Sequence, residues 1–249
     1  MRAVAIGAPR WLRRWATGVP ALPTPPGRDV SYLVAVRQRV LAELNDVRVI
    51  KALFSGKPDL AAYARYLVNA YHYAQYSPKV MAMAAARTTD SHPALSRYLL
   101  HHADEEQGHH KWALEDLSDL GVKESEARAT RPVPSCAAMI GYVHYVAAYA
   151  NPIGLFGWMY VLEAVGNDLG ATAAAKLQAI LGPKASDRGL RFVGRHGVAD
   201  MGHTKDLSDQ IETHVHGDDM ADVCHVADVV ADLYVRMFRE IGGERAEWR

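Results

Sequence analysis

The chain has 249 residues, enough to bury a sizeable core as one large domain or two small ones. Lys and Arg number 28 and Asp and Glu number 28, so the formal net charge is zero. That balance leaves no electrostatic footprint for nucleic acid or an anionic membrane. The two cysteines, Cys136 and Cys224, form no CxxC pair and no spaced framework, which fits a reduced, cytoplasmic setting.

Residues 1–29 read as an N-terminal arm rich in Pro and Arg, with no acid before Asp29. Pro9, Arg10, Arg13 and Arg14 interrupt its apolar runs, so it lacks a signal-peptide core. From residue 30 to 249 strand signals are nearly absent and apolar residues follow the helical period. "SYLVAVRQRVLAELNDVRVIKALF" predicts a first helix capped by Asp29 or Ser31. "DLAAYARYLVNAYHYAQYSPKVMAMAAART" predicts a long second helix kinked at Pro78. Ser91 and Pro93 open a third helix, which Gly121 ends. A fourth spans roughly 134 to 150. Another runs from Pro152 to about Val165, and a shorter one from about 171 to 181. "ASDRGLRFVGRHGVADMGHTKDLSDQIETHV" and "DMADVCHVADVVADLYVRMFREI" predict the last two.

The stretch from Ser135 to Leu162 contains no Asp, Glu, Lys or Arg. Its length suits a membrane span, but His144, Asn151, Pro152 and several tyrosines break its hydrophobicity, so a helix in a soluble core is expected. The whole reads as a single all-α domain of about seven or eight helices.

Two of these helices carry the same polar pattern. In "HHADEEQGHH", His102, Glu106 and His109 fall within roughly 60° of one another on a helix wheel. Glu105 sits beside that stripe, and His101, Asp104 and His110 lie at its periphery. "HGVADMGH" repeats the spacing with His196, Asp200 and His203. Glu163 is the first charged residue after 28 uncharged positions. A carboxylate on so apolar a helix should be buried, and burial demands a cation or a proton to offset its desolvation. Imidazole and carboxylate without thiolate suit iron or manganese better than structural zinc. One helix offering Glu-x2-His, one Asp-x2-His and one a lone Glu resembles the way helical bundles build di-iron carboxylate sites.

With "EEQGHH", "PIGLFGWMYVLE" and "HGVADMGH" in that order, the chain resembles the haem-oxygenase-like di-iron oxidases and oxygenases. These are relatives of the TenA-type thiaminases and of pyrroloquinoline quinone synthase. The resemblance runs from about residue 35 to 240 and implies a haem-oxygenase-like helical bundle. It implies Glu106, His109, Glu163, His196, Asp200 and His203 as ligands of two Fe(II) ions, with O2 as co-substrate. One departure stands out. Some members place the first-helix glutamate seven residues before the histidine, and here that position is His102. The choice between Glu105, Glu106 and an additional His102 therefore stays open. The thiaminase branch lacks this metal set and uses a cysteine nucleophile, a role in which neither Cys136 nor Cys224 can be placed.

The resemblance implies an O2-dependent oxidoreductase acting on a small carboxylate-bearing metabolite in specialised biosynthesis. A free amino acid is the leading expectation, and the outcome would be desaturation, N-oxygenation, C–C cleavage or cyclisation. A homodimer is expected, with room for an external electron donor, and neither nucleic acid nor membrane as partner. Tyr160, on nearly the same face as Glu163, is a candidate second-layer or substrate-lining residue. Arg191 and Arg195 are candidates to meet a substrate carboxylate. Pro152 should kink its helix, and Gly154 and Gly157 thin the backbone there, which predicts either a substrate cavity or close helix packing. Two other functions fit the pattern. One is a ferritin-like iron-storage bundle that would use Glu43; His196 and the extra helices argue against it. The other is a metal-independent oxidase of the quinone-synthase type, in which the polar cluster would bind an organic acid.

Overall fold

The computed structural model describes residues 29–182 and 188–244, with the side chains of 197–203 excepted. The N-terminal arm therefore lies outside the described residues. Eleven α-helices and one 3-10 turn make up the described chain, with no strand among them.

The first is α1 (Val30–Asp46), whose N-terminus Asp29 caps by accepting from the backbone N–H of Ser31 at 2.9 Å and of Tyr32 at 3.3 Å. Val47 is extended and ends it, and α2 (Arg48–Phe54) follows directly. α3 (Leu60–Ala74) and α4 (Ser77–Thr88) are separate helices. Pro78 sits in the first turn of α4, where its missing N–H costs nothing, so it starts a helix rather than kinking one.

The predicted third helix is also two: α5 (Pro93–Glu105) and α6 (His109–Asp119). Between them Gly108 has φ +89°, a conformation open to glycine and strained for other residues. A short helix not foreseen from the sequence, α7 (Glu124–Ala129), precedes α8 (Pro134–Ala148). Pro152 opens the 3-10 turn Pro152–Gly154, which runs straight into α9 (Leu155–Leu181). α9 is one helix of 27 residues where the sequence suggested two. α10 (Arg191–His214) and α11 (Gly217–Ile241) complete the chain.

α9 is the axis of the fold. It packs along both α10 and α11, while α1 and α8 lie against α11, α4 pairs with α5, and α3 pairs with α6. The closest approach is at Gly157, where an added Cβ would stand 2.1 Å from the carbonyl oxygen of Val223 on α11. At Gly154 a Cβ would meet Val226 Cγ2 at 3.0 Å. These two glycines thus serve close helix packing, not a cavity.

The buried apolar residues form two clusters. The larger joins α1, α4, α5, α8, α9 and α11; the smaller joins α3, α6 and the start of α10. The Glu106–Gly108 break lies where the chain passes from one to the other. Among the described residues no helix is long and apolar enough to cross a membrane.

Candidate metal centre

The break after α5 turns three polar side chains inward together. His102 is 2 % exposed, Glu106 7 % and His109 9 %, at positions where a solvated helix face would leave them in water. Each needs a partner to offset its desolvation. His102 Nε2 lies 3.2 Å from Oε1 of Glu163, which α9 delivers from the opposite side. His109 Nδ1 approaches Glu106 Oε1 at 3.0 Å without the alignment of a hydrogen bond, and this buried nitrogen has no hydrogen-bond partner among the described residues.

His196 arrives from α10. Its Nδ1 lies 2.7 Å from the carbonyl oxygen of Phe192 one turn earlier. A carbonyl can only accept, so Nδ1 carries the proton and Nε2 keeps its lone pair. The ring is held by Phe192 at 4.4 Å and by His109 edge-on at 4.8 Å, and His109 stacks on Trp112 at 4.0 Å.

Among the described residues the donor atoms fall into two groups: Glu106, His109 and His196, and His102, Glu106 and Glu163. Within each group one donor atom per residue lies within 4.8 Å of the others. Glu106 belongs to both. Imidazole and carboxylate donors with no thiolate, together with the unpartnered nitrogen of His109, fit a centre for hard or borderline divalent metals such as iron.

The electrostatics of Glu106 and His196 suit metal ligation. Burial alone would raise the Glu106 carboxyl, but His109, His196 and His102 outweigh it and hold it below the usual range. Burial lowers His196, which favours the neutral, metal-binding imidazole. Burial also works against a proton on His102, yet Glu163, Glu106 and Glu105 together raise it above its ordinary value.

The structure thus brings together Glu106, His109, Glu163 and His196, with His102 as a fifth member. Glu105 is 38 % exposed and stands on the outer side of His102, 3.8 Å from Nδ1, while the inner nitrogen faces Glu163. That geometry chooses Glu106 over Glu105 for the centre. The side chains of Asp200 and His203 lie outside the described residues.

Other candidates point elsewhere. Tyr160 is buried beside Arg37, which forms a two-pronged pair with Asp168, and it does not line the cavity that opens onto Glu106 and Glu163. Burial holds its hydroxyl above the usual range in spite of Arg37. Arg191 is bound to Glu115, Asp116 and Asp119, and Arg195 is exposed and lies over the Trp112 ring at 4.9 Å. Neither faces the cluster as a carboxylate receptor. Glu43 pairs with Arg39 and Arg239, outside the centre.

Sequence reasoning missed Asp116. It is fully buried on α6 and accepts from the backbone N–H of Arg191 at 2.9 Å and of Phe192 at 2.8 Å. It thereby supplies the N-terminal cap that Leu190 cannot, fixing the helix that carries His196. The signal was present as an acid on the apolar face of α6, opposite a helix start with no local capping residue.

A cavity of about 100 Å³ opens onto Glu106, Glu163 and His196, with Trp158, Met159 and Leu162 among its walls.

Three comparisons bear on this centre. A family model described as an iron-containing redox enzyme matches residues 64–235. No curated protein matches the sequence. A crystal structure from Shewanella denitrificans OS217, a domain of unknown function with a haem-oxygenase-like fold, aligns with TM-score 0.76 and 24 % identity. The alignment covers 86 % of this chain and 92 % of that one. A TenA homologue from Pseudomonas syringae pv. tomato aligns with TM-score 0.74 and 12 % identity over 86 % and 92 % of the two chains. One from P. horikoshii OT3 gives 0.63 and 13 % over 85 % and 97 %. At such identities these structures establish the fold alone.

Proposed function

Because this chain belongs to the family of iron-containing redox enzymes with the haem-oxygenase-like fold, we propose that it is an O2-dependent, non-haem di-iron oxidase or oxygenase acting on a carboxylate-bearing metabolite. The observation that carries this reading is Glu106, shared between two buried groups of imidazole and carboxylate donors. In the proposal Glu106, His109 and His196 hold one ion and His102, Glu106 and Glu163 the other. Asp200 and His203, one and two turns beyond His196, complete the set. Bound ferrous iron would supply the electrons and the open positions that dioxygen activation needs.

The chain's own residues set the conditions for that chemistry. His196 presents Nε2 because its Nδ1–H donates to the Phe192 carbonyl oxygen. Glu106 stays ionised through the imidazoles around it. Trp158, Met159 and Leu162 make the walls of the adjoining cavity apolar, which keeps bulk water from the reacting groups.

The test is metal content. Protein purified without air, loaded with ferrous iron and desalted should hold about two irons per chain and take up O2. Fewer than about one iron per chain with no O2 uptake would sink the di-iron reading and favour the metal-independent alternative.

A further inference from the structure

Among the described α-helices only α8 carries no Asp, Glu, Lys or Arg, and its outer face lies in solvent. Tyr145 is 55 % exposed and Tyr149 82 %, and Ala137, Ala138 and Gly141 are exposed beside them. The neighbouring helix α4 continues the face with Ala82, Met83 and Ala86, all exposed. One tyrosine in water needs no explanation, but an uncharged face running the length of a helix does. The cations of α4 are already engaged. Arg87 donates to the carbonyl oxygens of Ala147 at 3.0 Å and Ala150 at 2.8 Å, and Lys79 stands over the Tyr76 ring at 5.0 Å.

Gly141 is the centre of this face. It lies in the interior of α8, it is not among the glycines of positive φ, and a Cβ built on it would meet nothing within 4 Å. Glycine is unfavourable inside a helix, and here neither backbone conformation nor packing within the chain calls for it. Gly157 is the contrast, since there α11 fills the space a Cβ would take. A missing Cβ on an open face suits the close approach of a second backbone from outside.

The residues around Gly141 say which backbone. Pro134, Ala137, Ala138, His144, Tyr145 and Ala148 lie within about 60° of it on the helix wheel. Before Gly141 these positions are small; after it come His144 and Tyr145. When a second α8 is laid antiparallel across the first at Gly141, Ala137 meets Tyr145 and Ala138 meets His144, and each pairing occurs twice. Bulk then stands opposite small on both sides of the crossing, the reciprocity that a two-fold axis requires. A parallel pair would set Tyr145 against Tyr145 and leave the alanines apart. With no charge on α8, nothing in the antiparallel pair repels its own copy.

We infer that α8 is the contact between two copies of this chain, packed antiparallel about a two-fold axis at Gly141. The contact concerns assembly and stands whether or not the buried cluster binds metal. A helix of 15 residues is about 22 Å long, and with α4 alongside the face is about 20 Å wide. That gives roughly 400 Å² per partner, about half of a standard interface. The dimer is therefore reversible, with Kd on the order of 10 µM.

Sedimentation equilibrium of the full chain from about 1 to 300 µM tests this. The mass should rise from the 27.4 kDa of one chain toward twice that value. Gly141→Glu sets two like charges on the axis and should raise Kd about tenfold or more. It should keep the parent's helical circular dichroism, because its side chain meets nothing within the chain. Gly141→Cys should form a disulfide-linked dimer on mild oxidation, since a position on the axis meets itself. Tyr149→Cys is equally accessible but lies about 12 Å along the helix from the axis, so its two copies stand about 24 Å apart and should not link. Cys136 and Cys224 are buried and do not interfere.

A mass of 27.4 kDa at every concentration would overturn the proposal. So would a dimer that Gly141→Glu leaves intact, or linking of Tyr149→Cys as ready as that of Gly141→Cys. A monomer in which the thiol of Gly141→Cys resists labelling would give the face to residues 1–28 instead, and would equally refute the two-fold contact.

Discussion

At the scale of single residues, Glu106 stands three residues before a histidine and Glu163 stands alone in an apolar helix, and the structure gives them unequal surroundings. Among the described residues Glu106 is common to both donor groups, whereas Glu163 belongs to one. Under the proposed di-iron reading, removing Glu106 would take a ligand from both metals and removing Glu163 from one. Elemental analysis after anaerobic loading should therefore find about one iron per chain in Glu163→Ala and almost none in Glu106→Ala, against about two in the parent. Equal iron in the two variants would refute the shared role. That Glu106, His109, Glu163 and His196 come together was legible from imidazole and carboxylate at helical spacing on two helices and from one carboxylate in an apolar run, which burial makes costly without a partner. Tyr160 was misplaced for the opposite reason. α9 is buried on nearly every side around it, so closeness to Glu163 on a helix wheel does not say which neighbour the ring meets; it meets Arg37.

At the scale of elements, the apolar period carried the helices but hid their breaks. The stripe of α1 continues into α2 across Val47, and that of α3 into α4 across Tyr76, because each pair keeps its apolar face on the core. The break between α5 and α6 left one local mark, Gly108, whose positive φ turns the chain where the polar cluster needs it. In α9 the error ran the other way: an end was expected near Val165 and a new helix from about 171, and the helix continues unbroken through Gly166 and Gly170. Gly157 is the element-scale constraint that the sequence could name but not interpret. A methyl there would stand 2.1 Å from the Val223 carbonyl oxygen and 2.8 Å from the Ala227 nitrogen, both backbone atoms of α11. Neither can swing aside, so Gly157→Ala must part the two helices. Denaturant unfolding should show a loss of about 1–3 kcal/mol relative to the parent. An unchanged midpoint would mean that α9 and α11 do not approach so closely.

At the scale of the molecule, an all-α fold of this family was readable from composition, period and three motifs, while the walls of the cavity at Glu106 and Glu163 were not. A cavity is made by side chains that are absent or turned away, and the residues lining this one come from α3, α4, α9, α10 and α11. No local pattern records such a meeting. The same dispersion gives metal binding a consequence for the whole fold. The described donors come from α5, from the turn that follows it, from α6, α9 and α10, so an occupied centre ties together helices from both apolar clusters. The unfolded chain has no such convergence, so binding stabilises the native state by mass action. With free ferrous iron at about 100 times its dissociation constant the gain is about 2.7 kcal/mol. At roughly 2–4 °C per kcal/mol for a chain of this size, the melting temperature should rise by about 5–11 °C on anaerobic loading and fall back when a chelator removes the metal. Glu106→Ala should melt at one temperature with or without iron. If the parent protein also failed to shift while binding iron, the metal would be sitting on a surface site rather than between the helices.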